Sequence, residues 1–179
     1  IVKNSSNTII AEVFRNYGHF WHCWVEGKNN HDYLLCGEDY QGQTIIRLND
    51  GRRKNFLSPG SHKGQGFCWA SVIPSPNKTK LAVFGCIWAF PYEILIFNFS
   101  EPFKQPEFLG WLDEGSLLID DLVSWNKDDA ITVKCVEGFR KSDGKLENKL
   151  TSEELDKAIT DDNLDEREKF IELSPIYKK

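Results

Sequence analysis

The sequence predicts a mainly β protein, an antiparallel meander with a short helix near its C-terminus. Short runs of β-branched and aromatic residues alternate with Gly, Pro, Asn and Asp turn signals along most of the chain. Aromatic residues make up 13% of the chain, six of them Trp, which favours packing between sheets. A length of 179 residues suits one domain.

The first part of the chain contains strand-like segments closed by recognisable turns. Residues 27–30 and 49–51 are turn signals, the second of the Asp-Gly hairpin type. Residues 58–66 hold three glycines and are predicted to form a loop. The strands predicted here are residues 8–15, 19–26, 32–37, 43–48 and 52–57.

The second part continues the pattern and then becomes charged. Ser75 and Pro76 begin a turn, and residues 113–115 are predicted to close a hairpin. Thr151 and Glu154 form a capping box that predicts a helix over residues 152–160, and residues 167–173 either extend it or return as an edge strand. We therefore expect an antiparallel β domain over 1–139 and a charged extension over 140–179 that packs on it or trails from it. The strands predicted here are residues 67–73, 80–85, 93–99, 108–112, 116–119 and 130–136.

Residues 69–99 carry a family resemblance. The turn Ser75-Pro76-Asn77-Lys78 precedes a Leu-Ala strand, and the run Ile94-Leu95-Ile96-Phe97-Asn98 fills the strand that follows it, the third of the blade. This arrangement resembles a blade of a WD40-type β-propeller. The resemblance implies blade-like hairpins, and at about 40–45 residues per blade the chain holds four at most. We expect a partial propeller or a sandwich. Residues 66–99 are also similar to small uncharacterised all-β proteins, a similarity that brings no activity with it.

A papain-like nucleophile is not supported around Cys68. In that family the cysteine opens a helix and its base histidine lies downstream, whereas here a Val-Ile-Pro sequence follows and all four histidines lie upstream. Five cysteines without a CxxC pair are typical of reduced thiols in a cytoplasmic protein. The prediction is that Cys68 is a core thiol.

No metal or cofactor is predicted. His19, His22 and Cys23 are the densest set of potential ligands, but residues 19 and 22 point to opposite faces of a strand unless a bulge intervenes. The paired carboxylates, among them Glu38 and Asp39, are predicted to be solvated turn residues.

The aromatic content supports the leading functional hypothesis, a non-catalytic module that binds a protein or peptide. The net charge of −5 argues against nucleic acid and anionic membranes as partners. The loops 87–93 and 58–66 are expected to form the surface. Core packing is expected for most of the aromatic residues, with Trp88 and Tyr92 partly exposed. The predicted binding residues are Trp69, Trp88, Phe90, Tyr92, Glu93 and His62.

Two alternatives stay open. One is a hydrolase or carbohydrate-acting enzyme whose carboxylates, such as Glu38, Asp39 or Glu93, are brought together only by the fold. The other is a homo-oligomer or a subunit of a larger assembly. The absence of Met and the start at Ile1 predict that the chain is a processed or partial form of something longer.

Overall fold

The computed structural model describes residues 1–14, 21–37, 41–58, 63, 66–88, 90–113, 118–126, 129–142, 145–150, 154 and 164–178. Within these residues the chain is mainly β and its strands pair antiparallel, as predicted. The strands are β1 (Val2–Lys3), β2 (Ile9–Ala11), β3 (His22–Lys28), β4 (His31–Gly37), β5 (Gly42–Arg47), β6 (Arg53–Leu57), β7 (Phe67–Pro74), β8 (Lys80–Ile87), β9 (Glu93–Asn98), β10 (Glu107–Leu112), β11 (Leu118–Trp125), β12 (Ile131–Ser142), β13 (Lys145–Lys149), β14 (Leu164–Leu173) and β15 (Pro175–Tyr177).

These strands form three main sheets and one small pair. Sheet I has the order β3-β4-β5-β6, and sheet II has the order β15-β10-β9-β8-β7. In sheet III, β12 is central, with β11 and β13 along one side and β14 along the other. Strands β1 and β2 pair with each other. The described strands do not close into a propeller ring. None of the helical residues that the structure describes forms a helix long and apolar enough to cross a membrane.

The hairpin between β3 and β4 shows why local sequence decides a turn. Asn29 and Asn30 both have positive φ, 51° and 60°, and lie between Lys28 and His31, which face each other in the register. Two consecutive positive φ values match the twist of the flanking strands, and Asn tolerates them better than most residues. The turn predicted at residues 27–30 is confirmed.

The turn between β5 and β6 depends on Gly51. Its φ is 70°, and a Cβ at this position would lie 2.5 Å from the backbone oxygen of Ile10. Only glycine accepts both the left-handed conformation and this close backbone approach. Gly51 therefore closes a hairpin of sheet I and also lets the N-terminal strand pair lie against it.

Sheet II is buried on both faces. Leu81 and Val83 on β8 face sheet I, whereas the alternate residues Ala82 and Phe84 face sheet III. Because successive strand residues point to opposite faces, a strand covered on both sides needs apolar residues throughout. This explains the continuous apolar runs at 81–84 and 94–97, which do not alternate with polar residues.

Two sequence expectations need correction or completion. The hairpin predicted between residues 108–112 and 116–119 is wrong: β10 belongs to sheet II and β11 to sheet III. The edge of β10 is instead occupied by β15, with Gly110 opposite Tyr177. Of the two alternatives for residues 167–173 the strand is found, as part of β14. The helix predicted over 152–160 lies outside the described residues except for Glu154.

Candidate functional site

The strongest candidate surface is the turn between β8 and β9, here called the aromatic turn and defined by Trp88, Phe90 and Tyr92. The backbone N–H of Phe90 donates to the oxygen of Ile87 at 2.8 Å, which tightens the chain into a turn. The three aromatic side chains are 58%, 67% and 50% exposed. The prediction that Trp88 and Tyr92 are partly exposed is confirmed.

One residue of the aromatic turn packs against the core. The Tyr92 ring lies 4.9 Å from the ring of Phe84, at an interplanar angle of 34°. Phe84 is buried in the cluster that joins sheets II and III. The ring contact between Tyr92 and a core residue thus attaches one end of the turn to sheet II.

Two polar groups lie at the foot of the aromatic turn. Burial raises the pKa of the Cys86 thiol, the Glu93 carboxylate raises it further, and a hydrogen bond with Tyr92 acts in the opposite direction. The side chain of Glu93 is exposed, and in the register this residue lies opposite Gly85. The turn therefore combines an apolar surface with one adjacent negative charge.

Trp69, the fourth aromatic residue in the predicted surface, lies elsewhere. It is 7% exposed, stacks on Trp21 at 5.7 Å and lies 5.1 Å from the ring of Phe97. These contacts place it in the core between sheets I and II. Composition alone does not separate the two residues: Trp69 lies within the predicted strand 67–73, and Trp88 follows the predicted strand 80–85.

His62, predicted to contribute from the loop 58–66, lies outside the described residues, as do His19, Glu38 and Asp39. At the start of that loop the Ser58 hydroxyl is buried and donates to the oxygen of Phe67 at 2.7 Å. This bond ties the loop's first residue to the first residue of β7.

Among the described residues, the potential metal ligands His22 and Cys23 do not form part of a metal site. The described residues contain no group of three or more His, Cys, Asp or Glu side chains able to hold a metal. His22 is exposed and Cys23 is buried, so the two point to opposite faces of β3, as their spacing predicts. Cys68 lies within strand β7, where the papain family has a helix start.

A surface that the sequence did not single out lies on the outer face of sheet I. There a cleft of about 450 Å³ opens between β1 and the sheet, with the indole of Trp24 51% exposed beside it. The alternation in β3 carried the signal, since Cys23 and Val25 point inward while Trp24 points outward. The cleft is lined by Ile1, Val2, Lys3, Val13, His22, Trp24, Leu34 and Cys36.

A polar network connects sheets II and III. The Lys80 ammonium donates to Asp129 at 2.8 Å and to the Tyr177 hydroxyl at 2.6 Å, and that hydroxyl donates to Asp129 at 3.0 Å. The hydrogen bond from Lys80 is the main reason that the pKa of Asp129 is lowered. The three residues are far apart in the sequence, so only the fold brings them together.

A buried lysine lies between sheets I and II. Lys28 is 6% exposed, donates to the oxygen of Lys78 at 2.7 Å and lies 5.4 Å from the centre of the Phe99 ring. Burial, with a smaller effect of the Lys78 charge, lowers the pKa of its amine. Its ammonium is held by a carbonyl and a ring face, which is a structural role.

The comparisons with known proteins give no activity. An uncharacterized protein of Acanthamoeba polyphaga mimivirus is 38% identical to this chain over 112 residues, which is 62% of the chain. The match spans 41% of that relative's length. No family model matches the chain, and no solved structure matches it significantly.

Proposed function

We propose that the chain is a non-catalytic interaction module that binds a protein or peptide segment through the aromatic turn. One observation carries the proposal. Three large aromatic side chains within five residues, Trp88, Phe90 and Tyr92, are each at least half exposed on one supported turn. Clustered exposed aromatic residues are costly to keep in water and are enriched at the centre of protein interfaces.

The chemistry of the turn indicates the kind of segment that would bind. Trp88 and Phe90 offer apolar area, and the exposed carboxylate of Glu93 stands beside them. The chain has a net charge of −5. A segment that places an aliphatic or aromatic side chain next to Lys or Arg complements both features.

The test uses a displayed library of random 12-residue peptides. Peptides are selected on the wild-type protein, and their affinities are compared for a Trp88→Ala/Phe90→Ala double variant. Tyr92 is left in place because its ring packs on Phe84. We expect each deleted hot-spot ring to cost about 2 kcal/mol of binding free energy, about 30-fold in Kd.

The matched control is Trp24→Ala/Phe170→Ala, which deletes two aromatic side chains that are 51% and 59% exposed. Unchanged affinity in the control, with loss in the turn variant, supports the proposal. If the selected peptides bind the turn variant as well as the wild type, or if affinity falls only in the control, the aromatic turn is not the binding site.

The proposal extends to the arrangement of the sheets and to the compartment. The first strand of sheet II, β7, contacts the first strands of the other two sheets, β3 and β11. This contact supports a propeller-like arrangement of successive blade-like meanders.

All five cysteines are thiols, which is consistent with a cytoplasmic setting.

A further inference from the structure

Cys68 and Cys86 lie directly opposite each other on neighbouring antiparallel strands. They are register partners in the β7–β8 pair, flanked by the pairs Phe67–Ile87 and Trp69–Gly85. Directly opposite residues point to the same face of a sheet, with Cα atoms about 4.5–5.5 Å apart. A disulfide requires a Cα separation of about 4.4–6.8 Å.

The neighbouring residues confirm that both thiols point to one face. Phe67 and Trp69, on either side of Cys68, pack toward sheet I, and so does Ile87 beyond Cys86. Phe84, two residues before Cys86, packs toward sheet III. By alternation, Cys68 and Cys86 both project on the sheet III side, at the strand ends next to the aromatic turn.

A disulfide between Cys68 and Cys86 would require their Cβ atoms to approach slightly, and the backbone beside them can accommodate this. Opposite Cβ atoms lie about 4.5–5.5 Å apart, whereas a disulfide needs about 3.5–4.5 Å, so an approach of about 1 Å is required. The register of β7 and β8 shifts between Trp69 and Ser71, immediately beside the pair. Such irregularities are where a strand bends most easily.

The other cysteines do not offer this geometry. Cys23 lies opposite Leu35, and Cys36 lies between His22 and Thr44. Cys135 lies between Ile119 and Lys169. These three are 8%, 0% and 1% exposed, whereas Cys68 and Cys86 are only partly buried. A small reagent can therefore reach the opposed pair in the folded protein more readily than the other three thiols.

We propose that Cys68 and Cys86 form a reversible cross-strand disulfide by exchange with a low-molecular-weight disulfide. One thiolate attacks the small disulfide, forms a mixed disulfide and releases one small thiol. The second thiolate then attacks the protein sulfur of that mixed disulfide and releases the other small thiol. Both protein thiols lose their protons, the protein is oxidised by two electrons, and the small disulfide is reduced to two thiols. This site does not depend on what the aromatic turn binds.

The experiment treats the folded 179-residue chain with cystamine at pH 8.5, a pH that favours thiolates. Remaining thiols are then blocked with N-ethylmaleimide in denaturant, and the chain is digested with trypsin. Cleavage after Lys63, Lys78, Lys80 and Lys104 places Cys68 and Cys86 on separate peptides, residues 64–78 and 81–104. A linked pair of these peptides is thus distinguishable by mass from two mixed disulfides.

We expect the wild type to lose two of its five thiols, to give the 64–78/81–104 linked pair, and to recover both thiols with dithiothreitol. The variants Cys68→Ser and Cys86→Ser should each retain one half-cystamine on the remaining partner, since no second thiol can displace it. The proposal is overturned if the folded wild type carries only mixed disulfides, links either cysteine to Cys23, Cys36 or Cys135, or does not react until it is denatured.

Discussion

The burial of sheet II on both faces predicts that core truncations facing either neighbour are equally damaging. Leu81 faces sheet I and Ile96 faces sheet III, and both are 0% exposed. Replacing a fully buried Leu or Ile by Ala removes its transfer free energy and leaves a cavity, typically costing about 2–5 kcal/mol. We expect Leu81→Ala and Ile96→Ala each to lower the free energy of unfolding by about 3 kcal/mol.

The control is Leu57→Ala on β6, whose side chain is 62% exposed. It should change stability by less than about 0.5 kcal/mol, as surface substitutions usually do. The assay is urea unfolding followed by circular dichroism, with thermal unfolding as a second measure. For a chain of this size about 3 kcal/mol corresponds to a drop in Tm of about 6–12 °C.

The comparison between the two buried positions tests whether sheet III covers sheet II. If Ile96→Ala costs less than about 1 kcal/mol while Leu81→Ala costs about 3 kcal/mol, sheet III does not cover sheet II in solution. We expect the free energy of unfolding to fall in both core variants and to stay unchanged in the control.

Three further predictions concern single interactions. Asp129→Asn should lower the free energy of unfolding by less than about 1 kcal/mol at pH 7, since solvent screens a half-exposed ion pair. Because the native pKa of Asp129 is lowered, its stabilising contribution is present above the unfolded-state pKa and is lost as the pH falls through the native pKa. The urea midpoints of wild type and variant should therefore converge in acid. Gly51→Ala should destabilise the protein by about 1–3 kcal/mol because it adds a clash with the Ile10 carbonyl to the strain of a positive φ. Gly27→Ala should cost less, because φ is also positive there but the added Cβ would meet only the end of a lysine side chain. Equal decreases in Tm for the two variants would contradict the close approach at Gly51. A chain truncated after Leu173 lacks β15 and should exchange the backbone hydrogens of β10 faster, while those of sheet I remain protected in hydrogen-exchange mass spectrometry.

Local signals in the sequence predicted the local parts of the fold. The asparagines at 29 and 30 and the glycine at 51 mark turns that the structure confirms, because a positive φ is a property of one or two residues. The strands β8 and β9 were also predictable, because a continuous apolar run of strand length is visible within a few residues of sequence. The prediction that β10 pairs with the next strand was wrong, because its edge partner β15 lies more than 60 residues further along the chain. No local pattern records a contact at that separation.

The candidate site was predictable to a similar extent. Trp88 and Tyr92 lie in the loop 87–93 between two predicted strands, and their partial exposure was predicted there. Trp69 lies within a strand, where alternation allowed either face, and it lies in the core between sheets I and II. The cleft beside Trp24 and the network around Lys80 escaped prediction because each joins segments that only the assembled sheets bring together.

The return of β15 to sheet II has a consequence for how the chain is built during synthesis. Sheet I is a meander of consecutive strands and can form as soon as residues 22–57 have left the ribosome. Sheet II is started by β7 to β10, but its last strand follows the whole of sheet III in the sequence. The edge of β10 therefore stays unpaired in the nascent chain until residues 175–177 have been synthesised. During that interval an unprotected strand edge is available to pair with other chains, which exposes the nascent protein to misassembly.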